Sequence, residues 1–485
     1  PRTSRARALL RRQRSASAVG AAVKPASCWG PLALALAATF GFAHGAAAAP
    51  AKREPGLLFG GGPRQPKLKP AIDPRLPTGA EIPATHARPA TRASLCSFVR
   101  PVCVHATAAA SVAALPEALA AFEQAYERVV LGLGLPAPLA DYDAGGSDAL
   151  DLYLGEGDEL EVDQEPPLPG RLDSAPVFCR AASVSGALLE RAATLCVGEA
   201  LASTLDAGET AEARRALSLE LWWIVGARTS LDVQAIDDAQ RHPEDALSLD
   251  GARPPGAVGR FALLLELLET ARSVASPGVL SASMFAAAAS RTPLGALDFD
   301  NEPDVFDVLR HSLDEEPARY ADLMVDFALR RSLSGDRDDG TRLPSLSFAG
   351  AFARPHFDWV IKYSSLPRRV LSGQPIAQSG AELIWLELDE APLGAALGFH
   401  AEWEAPVAFQ WRLLFVGRDG REVRRIDVPF QERGGSADVR VQRLDGAKAV
   451  VIAGVNLGGV DPSHPFDPDI APFEPSGCTV YLARL

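Results

Sequence analysis

The residues whose types and spacing bear on chemistry lie in "CVGEALASTLDAGETAEARRALSLELWW", from Cys196 to Trp223. The stretch reads as two helices joined by a short turn, with Glu199 on the first and Glu220 on the second. A carboxylate on each of two packed helices is part of what a metal site or a general base requires, because both work through converging donor atoms. Imidazole is missing: no His occurs between residues 106 and 241. One or two carboxylates without imidazole or thiolate do not make a catalytic zinc site. Two such glutamates are also what a plain helical hairpin carries on its solvated faces, and the sequence leaves both readings open. Should they be buried, each needs a partner, and Arg214 or Arg215 on the second helix would supply it.

Other chemistries leave less trace. No G-x-S-x-G elbow is present. His105, His242, His311, His356, His400 and His464 each stand alone, with no second His three or four residues away. "LGLGLP" follows a helical stretch and ends in Pro, so it is not a dinucleotide fingerprint. No C-x-x-C pair supports thiol redox chemistry or a zinc finger. No cofactor is expected.

The elements that must position Glu199 and Glu220 follow from periodicity. Helical spacing begins at "LPEALAAFEQAYERVVLGLG", and "DALDLYL" and "APVFC" read as strands. Helices are then expected over 184–204, 209–227, 257–274, 277–290, 303–313 and 317–333. Trp222 and Trp223 fit core positions on the second of these. Past about residue 345 the period changes to two. Runs such as "AELIWLEL", "VAFQWRLLFV" and "AVVIAGVN" are separated by turn residues, and "VGRDGREV" signals a hairpin. In "QWRLLF", Trp411, Leu413 and Phe415 share one face, and Gln410, Arg412 and Leu414 the other. The fold class read from this is α+β: an α-rich domain over 93–345 followed by an antiparallel β-sandwich over 346–485.

Residues 1–50 hold seven basic and no acidic side chains, then "PLALALAATFGFA" and the small-residue run "HGAAAAPA", the pattern of an export signal. Residues 51–92 are Pro-rich and without period, which predicts a disordered linker. The balance after residue 50 is 41 basic against 61 acidic residues, so nucleic acid and anionic membrane surfaces are poor partners by charge. No membrane span is expected in the mature chain. An exported protein holds its cysteines mostly oxidised. Cys96 with Cys103, and Cys179 with Cys196, are the expected pairs, leaving Cys478 as a buried thiol.

The order of elements is similar to that of secreted bacterial proteins related to gluzincin metallopeptidases, in which an HExxH helical domain precedes a β-sandwich. The resemblance rests on "LGLGLPAPLADYDAGGSDALDLYL", on the hairpin 196–223 and on "NEPDVFDVLRHSLDEEPARYADLMVDFALRRSLSG", and covers about residues 95–485. In that family two His one turn apart hold zinc, the Glu between them activates water, and a Glu on the next helix is the third ligand. The matching window here is Gly198-Glu199-Ala200-Leu201-Ala202, with Glu199 at the general-base place, both His replaced, and Glu220 near the third-ligand place. A rival window, Leu219 to Trp223, lacks both His as well. The resemblance therefore implies a degenerate relative whose Glu199 and Glu220 are vestiges, their carboxylates close to each other or to a shared Arg. Replacing Gly198 and Ala202 by His would, on that reading, rebuild the motif.

The expected function is an exported, non-catalytic binding or scaffolding protein, secreted, periplasmic or at the cell surface, with an extracellular or cell-surface protein or glycan as partner. The alternative is a secreted hydrolase with an active site in the inter-domain cleft. Glycan binding by the sandwich would use Trp385, Trp403 and Trp411, although strand positions favour packing.

Overall fold

A computed structural model describes residues 86–485 apart from 142–144, 156–159, 167–172, 183, 248–255, 273–275, 290–302, 314–317, 338–342, 405–406, 430–434 and 460–475. The export signal over 1–50, and the linker up to residue 85, lie outside the described residues. Residues 86–92, the end of the stretch read as linker, are tied to the fold. The Arg92 amide donates to Ala106 O at 2.8 Å, and Arg88 pairs with Asp141 at 2.8 Å and with Glu165.

The first layer is a five-stranded mixed sheet in the order β1-β2-β3-β5-β4, of β1 (Ala93–Cys96), β2 (Val102–Ala106), β3 (Leu150–Gly155), β4 (Glu161–Gln164) and β5 (Val177–Ala182). β2, β3 and β5 are parallel, while β1 and β4 run antiparallel at the two edges. β3 and β5 coincide with the strands expected from "DALDLYL" and "APVFC", whereas β1, β2 and β4 have no counterpart among the expected strands. β1 and β4 are four-residue edges, and β2 is buried on both faces, so its apolar run does not alternate. One face of the sheet, through Val102, Val104 and Ala106, packs on α1 (Leu115–Tyr126) and α2 (Gly186–Leu205).

α2 and α3 (Ala211–Val225) form the expected hairpin. Thr210 caps α3 by accepting from the Ala213 amide at 3.2 Å. The hairpin is tight because Gly198 lies against α3: a Cβ there would stand 2.7 Å from Ser218 Cα. Trp222 and Trp223 are core residues, at 0% and 4% exposure. α4 (Ser230–Arg241), a polar helix with no counterpart in the sequence reading, starts with a capping box of Thr229 and Asp232. α5 (Ala257–Arg272), apolar on nearly every side, packs on both α3 and α4. α6 (Val279–Ala288), α7 (Val305–His311) and α8 (Ala318–Ser332) follow, then the short α9 (Pro344–Ala349).

The C-terminal strands make two facing sheets. The first has the order β11-β10-β13-β8-β6, of β6 (Trp359–Lys362), β8 (Ala381–Glu387), β10 (Val407–Gly417), β11 (Glu422–Asp427) and β13 (Ala447–Gly459). The second is β12-β9-β14-β7, of β7 (Arg368–Leu371), β9 (Leu397–Trp403), β12 (Ser436–Val441) and β14 (Cys478–Arg484). Pairing is antiparallel except for β6 with β8, which is parallel. Gly420, at φ +85°, makes the β10–β11 turn that the "RDG" signal predicts.

β10 shows how the two halves join. Trp411, Leu413 and Phe415 point into the sandwich core, whereas Leu414 and Val416 belong to the core of the helical layers. Arg412, on the same face as Leu414, pairs with Asp322 of α8 at 2.9 Å. The apolar core of the helices thus continues onto the outer face of the first sandwich sheet. Trp385, Trp403 and Trp411 are at most 9% exposed, so none offers an open stacking platform for a sugar ring.

Candidate functional site

Both expected cysteine pairs lie at bonding distance: Cys96–Cys103 joins β1 to β2, and Cys179–Cys196 joins β5 to α2. Cys478 is a free buried thiol, its pKa pushed up by burial.

A cavity of about 630 Å³ opens beside the edge strand β4. Its walls are Val162 and Gln164 of β4, Arg191, Leu195 and Glu199 of α2, Glu212, Arg215 and Leu219 of α3, and Ala235 and Asp238 of α4. The volume suits a drug-sized ligand or a few residues of peptide. The α2 residues recur at a spacing of four, so the stripe facing the cavity is 191, 195 and 199.

That stripe corrects the register implied by the resemblance. Glu199 does reach the cavity, but Gly198 and Ala202 do not line it: Gly198 is pressed on Ser218 and Ala202 is fully buried. The residue one turn from Glu199 on the cavity wall is Leu195, and the facing wall of α3 carries Leu219. Imidazoles at 198 and 202 would therefore not rebuild a metal site.

Glu199 is 4% exposed and pairs with Arg215 at 2.5 Å. The contact is an ion pair without the alignment of a hydrogen bond, since Glu199 Oε1 lacks a partner of hydrogen-bond geometry. Arg215 is the partner that the sequence placed on the second helix. Arg214 instead donates to the carbonyls of Ala207, at 3.0 Å, and Glu209. Deeper in the wall, Arg191 donates to Asp232 Oδ1 at 3.0 Å, and the Trp222 indole donates to Asp232 Oδ2 at 3.0 Å. Burial works to raise the Asp232 pKa, but Arg191 and these donors hold it below the usual range.

Glu220 does not share this site. It is 1% exposed and turned toward Glu266 and Glu269 of α5 and Ser281 of α6. Burial pushes its pKa well up, and the neighbouring Glu269 adds to the push. Neither carboxyl oxygen has a partner of normal hydrogen-bond geometry among the described residues, and the Ser281 hydroxyl donates to Glu269 at 3.2 Å. The expectation that Glu199 and Glu220 converge, or share an Arg, is not met. Their helices pack together, but Glu199 leaves α2 toward the cavity and Glu220 leaves α3 toward α5.

The donor set at the cavity does not fit zinc. Among the described lining residues there is no His and no Cys, and Glu199 is already engaged by Arg215. Carboxylates next to guanidinium groups bind ions and polar peptide groups, but without imidazole or thiolate beside them they do not make a catalytic zinc site.

A feature the sequence concealed is the outer edge of β4, which pairs with no other strand among the described residues. The Glu165 amide donates to Pro176 O, which sets the hydrogen-bond phase of the β4–β5 pair. With that phase the N–H and C=O of Val162 and Gln164 point away from β5, and both residues line the cavity. No signal in "LEVDQE" distinguishes this four-residue strand from a loop.

No family model matches the chain, and no curated protein matches it. Among solved structures, the pre-peptidase C-terminal domain of a collagenase from Bacillus anthracis is similar over 27% of this chain and 98% of that domain, at 10% identity and a TM-score of 0.18. A likeness this low carries no argument about fold or activity.

Proposed function

We propose that this is an exported binding protein whose cleft beside β4 holds an extended peptide segment of an extracellular or cell-surface partner, without zinc-peptidase chemistry at that cleft. The observation that carries the reading is the edge of β4, unpaired among the described residues, beside a cavity whose described walls hold carboxylate and guanidinium groups but no imidazole or thiolate. An extended segment adds to a free sheet edge through backbone hydrogen bonds, and its alternate side chains enter the adjoining pocket. The lining carries both signs of charge, Arg191, Arg214 and Arg215 with Glu161, Glu199 and Glu212, which favours peptides of mixed charge. Two disulfide pairs support an oxidising compartment, and no helix among the described residues is long and apolar enough to cross a membrane.

The alternative of a hydrolase working between the two halves gains no support from this cavity, which lies within the N-terminal layers. The test is incubation of the full chain with a mixed library of extended peptides, followed by mass spectrometry of the retained fraction. Intact peptides, retained by the wild type, are expected. Cleaved products that vanish on chelation would overturn the reading.

A further inference from the structure

On the face of the first sheet turned away from α1 and α2, three residues on three neighbouring strands form a continuous hydrogen-bonded chain. Ser94 Oγ lies 2.8 Å from His105 Nδ1, and His105 Nε2 lies 2.9 Å from Asp151 Oδ1. We propose that Ser94, His105 and Asp151 form an acyl-transfer site, with Ser94 as nucleophile, His105 as general base and Asp151 as the group that orients the imidazole.

The geometry follows from the sheet. Ser94 stands directly across from His105 in the β1–β2 register, and Cys96 stands across from Cys103. The Ser97 amide donates to Val102 O, so Ser94–His105 and Cys96–Cys103 are both pairs without mutual backbone bonds, where side chains come closest. The disulfide two residues away therefore pins serine and histidine to the same face. His105 is 4% exposed and Asp151 fully buried, whereas Ser94 is open to solvent. The base is thus shielded and the nucleophile accessible.

A carboxylate only accepts hydrogen bonds, so His105 Nε2 carries the proton and Nδ1 is left to accept from the Ser94 hydroxyl. Asp151 is held in turn. The Tyr153 hydroxyl donates to its Oδ2 at 3.4 Å, and the Tyr153 ring stacks on His105 at 4.5 Å. Gly145 closes over it, at a position where a Cβ would fall on Oδ2. Nucleophile, base and orienting group in hydrogen-bond contact are the arrangement that activates a serine. Cys103 also lies near His105 and Asp151, but its sulfur is committed to the disulfide and is no thiolate ligand for a metal.

In the reaction, Ser94 Oγ bonds to an ester carbonyl carbon as its proton passes to His105 Nδ1. The ester C–O bond breaks and the leaving oxygen takes that proton. Water then attacks the acyl-serine, gives a proton to His105, and the Ser94 oxygen leaves as a hydroxyl. Among the described residues β1 is an edge strand, and its hydrogen-bond phase points the Ser94 amide off that edge, where it can donate to the developing oxyanion. Phe98 and Val99, exposed at 103% and 68% on the same disulfide-closed hairpin, favour an apolar acyl group.

The experiment is labelling of the full chain with a fluorophosphonate probe, peptide mapping of the adduct, and hydrolysis of p-nitrophenyl acyl esters. The expected result is an adduct on Ser94, none in Ser94→Ala, and labelling slowed at least ~100-fold in Asp151→Asn. Ser94 is exposed, so Ser94→Ala retains the fold, which an unchanged melting curve would document. An unlabelled wild type, or equal labelling and ester turnover in Ser94→Ala, overturns the proposal. The site is separate from the β4 cleft, so peptide retention by Ser94→Ala distinguishes its failure from failure of the binding reading.

Discussion

Gly198→Ala is the sharpest test of how the hairpin builds the cleft. The new Cβ would stand 2.7 Å from Ser218 Cα, 2.8 Å from Ser218 Oγ and 2.9 Å from Ser218 Cβ. The hydroxyl has no room to turn aside, because it donates to Leu195 O at 2.7 Å, and Cα moves only with α3. Overpacking of this kind costs about 1–3 kcal/mol, and contact with backbone falls at the upper end. Alanine's higher helix propensity returns about 1 kcal/mol. The net expectation is a loss of roughly 2 kcal/mol. Chemical denaturation followed by far-UV circular dichroism measures it, with Ser203→Ala on the same helix as a control that adds no volume. The same displacement of α3 shifts Arg215 relative to Glu199 and weakens peptide retention. A Gly198→Ala protein of wild-type or greater stability would refute the close approach, and with it the cavity-facing register of Leu195 and Glu199.

Two further outcomes follow from buried charge. Glu382, 1% exposed and beside Asp358, has its pKa pushed up to about 9, first by burial and then by that neighbour. The folded state holds this proton more tightly than the unfolded chain, so its contribution is complete below about pH 4.5 and is lost as pH rises through about 9. Wild-type stability should therefore fall relative to Glu382→Gln between pH 5 and pH 8, by at most ~1.4 kcal/mol per pH unit, and parallel profiles would refute it. Arg88→Ala leaves Glu165 and Asp141, each 2% exposed, without their cation. A loss of about 3–5 kcal/mol is expected in denaturant titration, and a change under ~1 kcal/mol would show that residues 86–92 are not docked as described.

What the sequence made legible was local. Period two in "QWRLLF" separated Trp411, Leu413 and Phe415 from Leu414, and the structure assigns the two sets to two different cores. The helices around Glu199 and Glu220 and both cysteine pairs followed from periodicity and short spacing. What stayed hidden depends on long-range placement. α4 carries too few apolar residues to announce itself, and β4 is four residues of half-buried edge. Glu199 and Glu220 look equivalent along the chain, yet the crossing of α2 and α3 at Gly198 and Ser218 sends one to the cavity and the other toward α5. His105 is isolated in sequence but meets Asp151, 46 positions away, through parallel pairing of β2 with β3.

The central claim, that the free edge of β4 pairs with an extended partner, is tested most directly by Val162→Pro. The Val162 amide points away from β5, so proline removes an outward donor and spares the bonds within the sheet. Affinity for a retained peptide, measured by fluorescence anisotropy, should fall about tenfold, the value of roughly one backbone hydrogen bond, while the unfolding midpoint stays at the wild-type value. Unchanged affinity in a folded Val162→Pro protein would contradict the account.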